Sequence, residues 1–327
     1  MSLRVRVIGA GVAGLCTATE LASRGVAVTV IDREERPGPH ACSWWAGGML
    51  APYCEGETAE EPVVRLGQAA ADWWEGQGVP VTRAGTLVVT LGRDRQELDR
   101  FARRTSGHRM LDRTDLAALE PDFDGRFDRA LFFPEEAHLD PRRALGHLRD
   151  RLPELGVTFA TDNGQVVGQI IDCRGLAARD ALPDLRGVKG EMLVLRAPDL
   201  HLTRPVRLLH PRYPLYVVPR GDGVYMLGAT QIESGERERP TVRSALELLS
   251  AAYALHPAFS EAEILEIGVD ARPAFPDNLP RLRRRGEVIH VNGLFRHGFL
   301  MAPVLARMVA DLLCNNTRPE LMDEDHG

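Results

Sequence analysis

The sequence predicts an α/β fold in which a parallel sheet covered by helices is interleaved with an antiparallel α+β unit. Three observations carry this prediction: an apolar strand that runs into a glycine-rich turn near the start, a β-rich middle with hairpin signals, and a late strand that leads into an apolar helix. The chain has 327 residues and 44% hydrophobic content. This length suits two cores, because a single core stops growing at roughly 250–300 residues.

The N-terminal segment has the pattern of a strand–helix–strand unit. Residues 3–8 are an apolar run typical of a buried parallel strand, and residues 26–31 give a second strand. The stretch between them places apolar side chains on one face of a helix that Gly25 can end. Parallel strands joined in this way need a right-handed crossover and a sheet covered on both faces.

The turn between the first strand and its helix has the sequence GAGVAG at residues 9–14. Gly9 permits a tight bend, Gly11 lets the backbone approach a pyrophosphate, and Gly14 lets the helix pack close to the strand. The phosphates then lie on free N–H groups at the positive end of the helix. Asp32, 32 − 14 = 18 residues after the last glycine, can accept hydrogen bonds from ribose hydroxyls. The pattern predicts a Rossmann-like dinucleotide site and does not separate FAD from NAD.

The rest of the chain alternates between helical and strand patterns. Residues 221–223, with the sequence GDG, separate two β-rich runs, which is a hairpin signal. The last apolar helix is expected over residues 303–313, after a strand at residues 288–291. Between these ends we expect helices over residues 62–77, 94–104, 114–119 and 141–152, strands over residues 85–89, 191–195, 216–219 and 224–228, and a strand with a glycine turn over residues 169–175.

These elements predict two interleaved domains. Residues 1–50, 153–190 and 268–320 are expected to form the dinucleotide-binding domain. Residues 51–152 and 191–267 are expected to form the substrate domain. Each domain is therefore predicted to be assembled from segments that are distant in sequence.

Composition argues against several classes of partner and site. The formal net charge is −6 and Lys189 is the only lysine, so we expect no binding to nucleic acid or to an anionic membrane. Five cysteines without C-x-x-C spacing and ten histidines without metal-ligand spacing predict no disulfide framework and no metal site. No apolar run approaches ~18 residues, and the first strand leaves no room for a signal peptide. We therefore expect a cytoplasmic protein.

Several segments, in a shared order, resemble the amino-acid oxidase family of flavoenzymes, closest to the glycine oxidases of thiamine biosynthesis. Residues 43–52, with the sequence SWWAGGMLAP, are similar to the flavin loop of that family, and residues 293–303 are similar to its closing turn. Trp44 and Trp45 replace small residues of the flavin loop. The resemblance also covers residues 172–177, 187–191, 215–219, 228–230 and 271–280.

The resemblance implies that the cofactor is FAD, bound non-covalently. It also implies that the backbone N–H groups of Gly298, Phe299 and Leu300 face the flavin and stabilise negative charge. The cofactor-binding residues are expected to be Gly9, Gly11, Val12, Ala13, Gly14, Asp32, Arg33, Ser43, Ala46, Gly47, Gly48, Met49, Cys173, Arg174, Gly175, Arg296, His297, Gly298, Phe299 and Leu300.

The substrate site follows from the same resemblance. Arg272 is expected to hold a carboxylate, because its planar guanidinium gives two charge-assisted hydrogen bonds to one anion. Tyr216 can donate its hydroxyl to the same group, and these two residues are the expected catalytic pair. Gln231 stands where the family has an apolar residue. The full set of expected substrate-binding residues is Arg272, Tyr216, Arg296, Gln231 and Met49.

The resemblance implies flavin-dependent oxidative deamination of glycine or a similarly small amino acid to the imine or 2-oxo acid, with formation of H2O2, for the thiazole part of thiamine. A D-amino-acid or sarcosine-type oxidase or dehydrogenase is the alternative. Sarcosine oxidases use a lysine for O2, and Lys189 lies in a different motif. A tRNA-modification oxidase would need a basic surface, and a regulator with a dead site would not need Arg272 and Tyr216. Assembly into a homo-oligomer stays open.

Overall fold

The computed structural model describes residues 3–162, 164, 167–210 and 214–324. Its helices are α1 (Val12–Ser23), α2 (Pro52–Glu55), α3 (Glu61–Gly67), α4 (Ala70–Gly76), α5 (Arg95–Arg104), α6 (Arg113–Leu119), α7 (Pro141–Arg151), α8 (Val242–Leu255) and α9 (Gly298–Asn315). The strands of the first half are β1 (Arg4–Ile8), β2 (Ala27–Ile31), β3 (Met49–Leu50), β4 (Thr86–Thr90), β5 (Arg109–Asp112), β6 (Arg129–Phe133), β7 (Ala137–His138) and β8 (Thr158–Ala160). The later strands are β9 (Gln169–Asp172), β10 (Arg186–Arg196), β11 (Val206–Leu209), β12 (Leu215–Gly221), β13 (Val224–Gly228), β14 (Ile232–Glu233), β15 (Glu263–Ala274), β16 (Arg281–Arg285), β17 (Val288–Asn292) and β18 (Met322–Glu324).

The first sheet has seven strands in the order β18-β16-β17-β9-β1-β2-β8. Strand β1 lies parallel to both β2 and β9, and β17 lies parallel to β9. Helices α1 and α9 pack against each other beside this sheet. Val7 and Leu15 are fully buried in their core. The predicted strand–helix–strand unit and the return of a distant C-terminal strand are both confirmed.

The second sheet has nine strands, in the order β14-β10-β13-β12-β11-β4-β6-β5, with β15 paired along β10. Its pairs are antiparallel except for β11 with β4. The predicted hairpin joins β12 to β13, with Asp222 in the left-handed region at a φ of 52°. Strands β3 and β7 form a small third sheet. The α/β class with an interleaved antiparallel unit is therefore confirmed.

The expected single helix over residues 62–77 is wrong, because the chain forms two helices, α3 and α4, with a break after Gly67. A Cβ atom at Gly67 would lie 2.8 Å from Leu300 Cγ. The break therefore lies where the chain approaches the start of α9. The apolar spacing that predicted one helix is continued by Trp73 and Trp74, which are buried in the core.

Helix α9 begins at Gly298, five residues before the expected start at Pro303. Pro303 has no N–H, so it leaves the carbonyl of Phe299 without its usual helical donor. The Trp74 side chain supplies the missing donor, since its Nε1 donates to the Phe299 carbonyl at 2.9 Å. A proline inside the helix is thus tolerated through a side chain of α4.

In the described ranges, α9 is the one helix long and apolar enough to cross a membrane, which corrects the expectation that no segment qualifies. Its Met301, Leu305 and Val309 are fully buried, and the helix packs against α1, α3 and α4. This is the composition of a core helix in a folded protein.

The domain boundaries stay a prediction. Helices α3 and α4 pack on α9, and α7 packs on α1, so parts of the expected substrate domain lie beside the parallel sheet. The five cysteines are all free.

Candidate active site

A cavity of about 690 Å³ is lined by both ends of the chain. Its size lies in the range of roughly 300–1,000 Å³ that small-molecule and cofactor sites occupy. Every residue expected to bind cofactor or substrate lines it except Gly14, and the binding roles stay predictions. The lining includes Gly9, Gly11, Val12, Ala13, Asp32, Arg33, Ser43, Ala46, Gly47, Gly48, Met49, Cys173, Arg174, Gly175, Tyr216, Gln231, Arg272, Arg296, His297, Gly298, Phe299 and Leu300.

Close backbone packing shapes the nucleotide end of this cavity. Gly9 has a φ of 102°, and a Cβ atom there would lie 2.7 Å from the Cys173 carbonyl oxygen. A Cβ atom at Gly14 would lie 1.8 Å from the Gly9 carbonyl oxygen. Both glycines therefore let β1, α1 and the end of β9 approach one another. Gly14 acts through this packing and has no exposure to the cavity.

The Asp32 carboxylate is held at the end of β2. Its Oδ2 accepts the N–H of Ala10 at 2.5 Å, and its Oδ1 accepts the N–H of Glu34 at 3.2 Å. A carboxylate has about four acceptor positions, so both oxygens keep capacity for further donors. Ser43 Oγ accepts the N–H of Val12 at 3.4 Å, which links the loop of residues 43–52 to the first turn of α1.

Arg174 is fixed beneath the cavity by buried Asp172. The Asp172 carboxylate accepts from the Arg174 backbone at 3.0 Å and from its guanidinium at 2.7 Å, while His290 Nδ1 lies 3.3 Å away. Burial opposes the charge of Asp172, but His290 and Arg174 outweigh burial and lower the pKa of this carboxyl to about 2. Arg174 also bonds to Asp180 at 2.9 Å. The positive charge of Arg174 is therefore already paired within the protein, and it stabilises the turn that follows β9.

Arg272 projects from β15 into the other end of the cavity. Its Nη1 donates to the Thr230 carbonyl at 3.1 Å. Among the described residues no ion pair involves Arg272; besides Thr230 its guanidinium contacts the Tyr216 hydroxyl, which leaves further N–H donors of its five for a ligand. Burial lowers the pKa of Arg272, which still remains charged at neutral pH. Gly190 makes room for the group, since a Cβ atom there would lie 2.1 Å from Nη2.

Tyr216 lies beside Arg272 in a slot between two glycines. A Cβ atom at Gly47 would lie 2.8 Å from the Tyr216 ring, and one at Gly228 would lie 2.7 Å from its hydroxyl. Burial raises the pKa of the Tyr216 hydroxyl, and the Arg272 guanidinium partly opposes this. The hydroxyl is therefore protonated at neutral pH and can donate. Arg220 donates to the Gly47 carbonyl at 2.7 Å and so holds one of these two glycines in place.

Sequence reasoning missed a charged cluster centred on Glu55. Arg207 Nη2 donates to Glu55 Oε1 at 2.5 Å, and Arg296 Nε lies 2.9 Å from Glu55 Oε2. His297 Nδ1 lies 3.3 Å from the same Oε2. Burial would raise the pKa of the Glu55 carboxyl, but Arg296 and Arg207 outweigh it and lower that pKa. Burial also lowers the pKa of His297 to about 4, so the imidazole is neutral at neutral pH.

A second missed group joins the segments around Cys42. Arg237 Nε donates to Asp270 at 2.5 Å, and its Nη2 donates to the His40 carbonyl at 2.8 Å. Arg237, Asp270, His40 and Cys42 all line the cavity. Burial, together with Asp270, raises the pKa of the Cys42 thiol to about 12, so it is protonated at neutral pH. No sequence motif marked Arg237 or Asp270.

The extra bulk of Trp44 and Trp45 is accommodated by packing on Arg142 and Gly268, and Trp45 also lines the cavity. Arg142 lies over both rings, 4.8 Å and 5.3 Å from their centroids. It also pairs with Glu266 at 2.6 Å. Trp45 packs against Gly268, where a Cβ atom would lie 2.1 Å from the indole. The two tryptophans thus fasten the loop of residues 43–52 to β15 and α7.

This arrangement of a glycine turn, a second loop and a C-terminal helix around one cavity matches a known family. The family model described as DAO, FAD dependent oxidoreductase, matches residues 4–312. The chain belongs to this family. Its members are FAD-dependent, so the protein is a FAD-dependent oxidoreductase and the expected cofactor is confirmed.

Three individual proteins show how this FAD-dependent oxidoreductase relates to known ones. It is 54% identical to the putative thiamine biosynthesis oxidoreductase ThiO of Rhizobium etli, over 97% of this chain and 99% of that protein. It is 28% identical to a glycine oxidase of Pseudomonas aeruginosa, over 96% of this chain and 95% of that protein. The solved structure of a glycine oxidase from Bacillus cereus is similar in fold, with a TM-score of 0.80 and 21% identity, over 97% of this chain and 96% of that one.

The residues present suit FAD. The first turn of α1 leaves N–H groups without intrahelical partners at the glycine turn, which is a site for a pyrophosphate. Asp32 lies at the end of β2 for the ribose, and the start of α9 supplies a second set of free N–H groups at Gly298, Phe299 and Leu300. The cavity joins these places to Tyr216 and Arg272.

Proposed function

We propose that the protein oxidises glycine, or a similarly small amino acid, by oxidative deamination. The observation that carries this proposal is the Arg272 guanidinium, which is charged, enclosed by the FAD cavity and without a carboxylate partner in the described ranges. An α-carboxylate is a ligand that the planar N–H donors of a guanidinium fit. The names of the two relatives, a thiamine biosynthesis oxidoreductase and a glycine oxidase, support the same reading.

In this proposal the protein binds and orients, and FAD supplies the two-electron acceptor. Arg272 holds the carboxylate and Tyr216 donates its hydroxyl to the same group, which fixes the Cα–H in one direction. Met49, Gln231 and Arg296 are the further expected substrate contacts, and each lines the cavity. The overall reaction is glycine, H2O and O2 to glyoxylate, NH3 and H2O2.

The proposal extends to the setting of the reaction. We infer that the imine product serves the thiazole part of thiamine, in agreement with the name of the relative that is 54% identical. O2 is proposed as the electron acceptor, FAD as non-covalently bound and the cytoplasm as the location. The proposal leaves the number of subunits open.

The test is H2O2 release under air from glycine, sarcosine, D-alanine and D-proline, with bleaching of the flavin absorbance under anaerobic conditions as a second reading. We expect glycine to give the highest kcat/KM. Preference for D-proline or D-alanine would favour a D-amino-acid oxidase instead. Flavin reduction without H2O2 release would replace O2 by another acceptor, and failure of all four amines to reduce the flavin would overturn the proposal.

A further inference from the structure

We propose that Glu55 restricts this site to amino acids with a single carboxylate, because it occupies the two arginines, Arg207 and Arg296, that would otherwise bind a second one. The inference rests on the proposed function and specifies the substrate class of the same cavity. Glu55 is thereby a specificity determinant and not a substrate ligand.

The geometry of the cluster is the first part of the argument. Each oxygen of Glu55 faces a different arginine, Arg207 at 2.5 Å and Arg296 at 2.9 Å. Glu55 is only 8% exposed, and all three side chains line the same cavity as Arg272. The two guanidinium groups are therefore turned toward a carboxylate of the protein.

The second part of the argument is the distribution of charge at the substrate end of the cavity. Arg272 has no carboxylate partner in the described ranges, whereas Arg207 and Arg296 share Glu55. The Glu55 carboxylate already lies against both guanidinium groups, so a ligand with a second carboxylate would have to compete with this fixed negative charge for the two arginines in a partly buried site. In the proposed function a ligand with one carboxylate is held by Arg272 and Tyr216, and it does not need the donors of Arg207 and Arg296. Replacing Glu55 by a neutral residue removes the carboxylate that both arginines share, although Arg296 keeps its bond to Thr58 and Arg207 stays near Glu136.

The test compares sarcosine with iminodiacetate, which differ by one carboxylate on the N-substituent. We expect Glu55→Gln to raise the kcat/KM of iminodiacetate relative to that of sarcosine at least ten-fold over the native protein. Glu57→Gln is the matched control, since Glu57 lines the cavity and lies near Arg100, 3.8 Å away, instead of near Arg207 or Arg296. For this control the ratio should stay within two-fold.

A folded Glu55→Gln protein with an unchanged ratio would overturn the inference, because a solely structural ion pair changes stability and not selectivity. The native protein gives a reading that does not depend on the variant. Acetate and malonate are titrated into the FAD-loaded protein, and their binding is followed by the flavin absorption spectrum. Malonate should bind at least ten-fold more weakly than acetate, and equal affinity would contradict the inference. If the native protein oxidises no amine but keeps this difference, the proposed function fails and the inference stands.

Discussion

The two ends of the cavity are built differently. At the nucleotide end, the walls are backbone, as where Gly9 lies against the Cys173 carbonyl. At the substrate end, the walls are charged side chains from separate elements: Glu55 from α2, Arg207 from β11 and Arg272 from β15. The first kind of wall is encoded in a short local motif. The second kind exists only after distant elements have packed, and in the proposed function it selects the substrate.

The largest effect should come from the substrate end. Arg272→Ala removes two charge-assisted hydrogen bonds to the carboxylate, each worth ~1.5–3 kcal/mol, so kcat/KM for glycine should fall at least ~100-fold. Arg272→Lys keeps the charge but loses the planar pair of donors, so its kcat/KM should lie between the values of the native protein and of Arg272→Ala. Arg143→Ala, at a side chain that is 80% exposed, is the control and should stay within two-fold. Steady-state kinetics with glycine measure all three, and an unchanged KM and kcat in Arg272→Ala would remove the carboxylate assignment.

Two substitutions in the glycine turn sharpen the contrast between packing and ligand contact. Gly9→Ala places a side chain at a φ of 102° and against the Cys173 carbonyl, so the apoprotein should lose more than about 2 kcal/mol. Gly11→Ala meets only Ser43 Oγ at 3.5 Å, an ordinary contact. Its apoprotein should stay within about 0.5 kcal/mol of native, while FAD affinity falls at least ten-fold. Urea unfolding and FAD titration separate the two effects, and equal destabilisation by both would contradict this division.

A smaller effect is expected on the stability of the protein as the pH falls. The folded pKa of Asp172, about 2, lies below the unfolded value of about 3.9, so its contribution is present above the unfolded value and is lost as pH falls toward 2. Asp172→Asn should therefore destabilise the protein at pH 7 by about 2 kcal/mol and flatten the loss of stability between pH 4 and pH 2. Asp180→Asn, at a side chain that is 62% exposed and bonded to the same Arg174, should change stability by less than about 1 kcal/mol. Unfolding curves across this pH range would show a parallel loss in native and Asp172→Asn protein if the assignment is wrong.

A similar or smaller effect should come from Trp74→Phe. It leaves the buried Phe299 carbonyl without a donor, at a cost of about 1–3 kcal/mol. Trp73→Phe removes a bond to part-buried Glu20 and should cost less. Urea unfolding compares the pair, and the reverse order would contradict the assignment.

The nucleotide end could be predicted from sequence because its signals are local. Gly9 and Asp32 lie at fixed spacing around one strand–helix–strand unit, and the structure brings both to the cavity. The break after Gly67 could not be predicted, since apolar spacing continues across it and its cause is a contact with Leu300. Glu55 is equally invisible: a glutamate in a polar stretch is usually solvated, and only the tertiary structure turns three cationic or imidazole groups toward it.

The hydrogen bond from Trp74 to helix α9 also makes two distant segments of the chain depend on each other. In most helices a carbonyl accepts the N–H four residues later, but Pro303 has no N–H to offer the Phe299 carbonyl, in the turn that lines the cavity. The entrance of α9 therefore depends permanently on a neighbour more than two hundred positions upstream. A chimaeric protein that takes its α3–α4 segment from a relative must keep this hydrogen bond. The first check on such a protein is whether it still binds FAD, which its yellow colour reports.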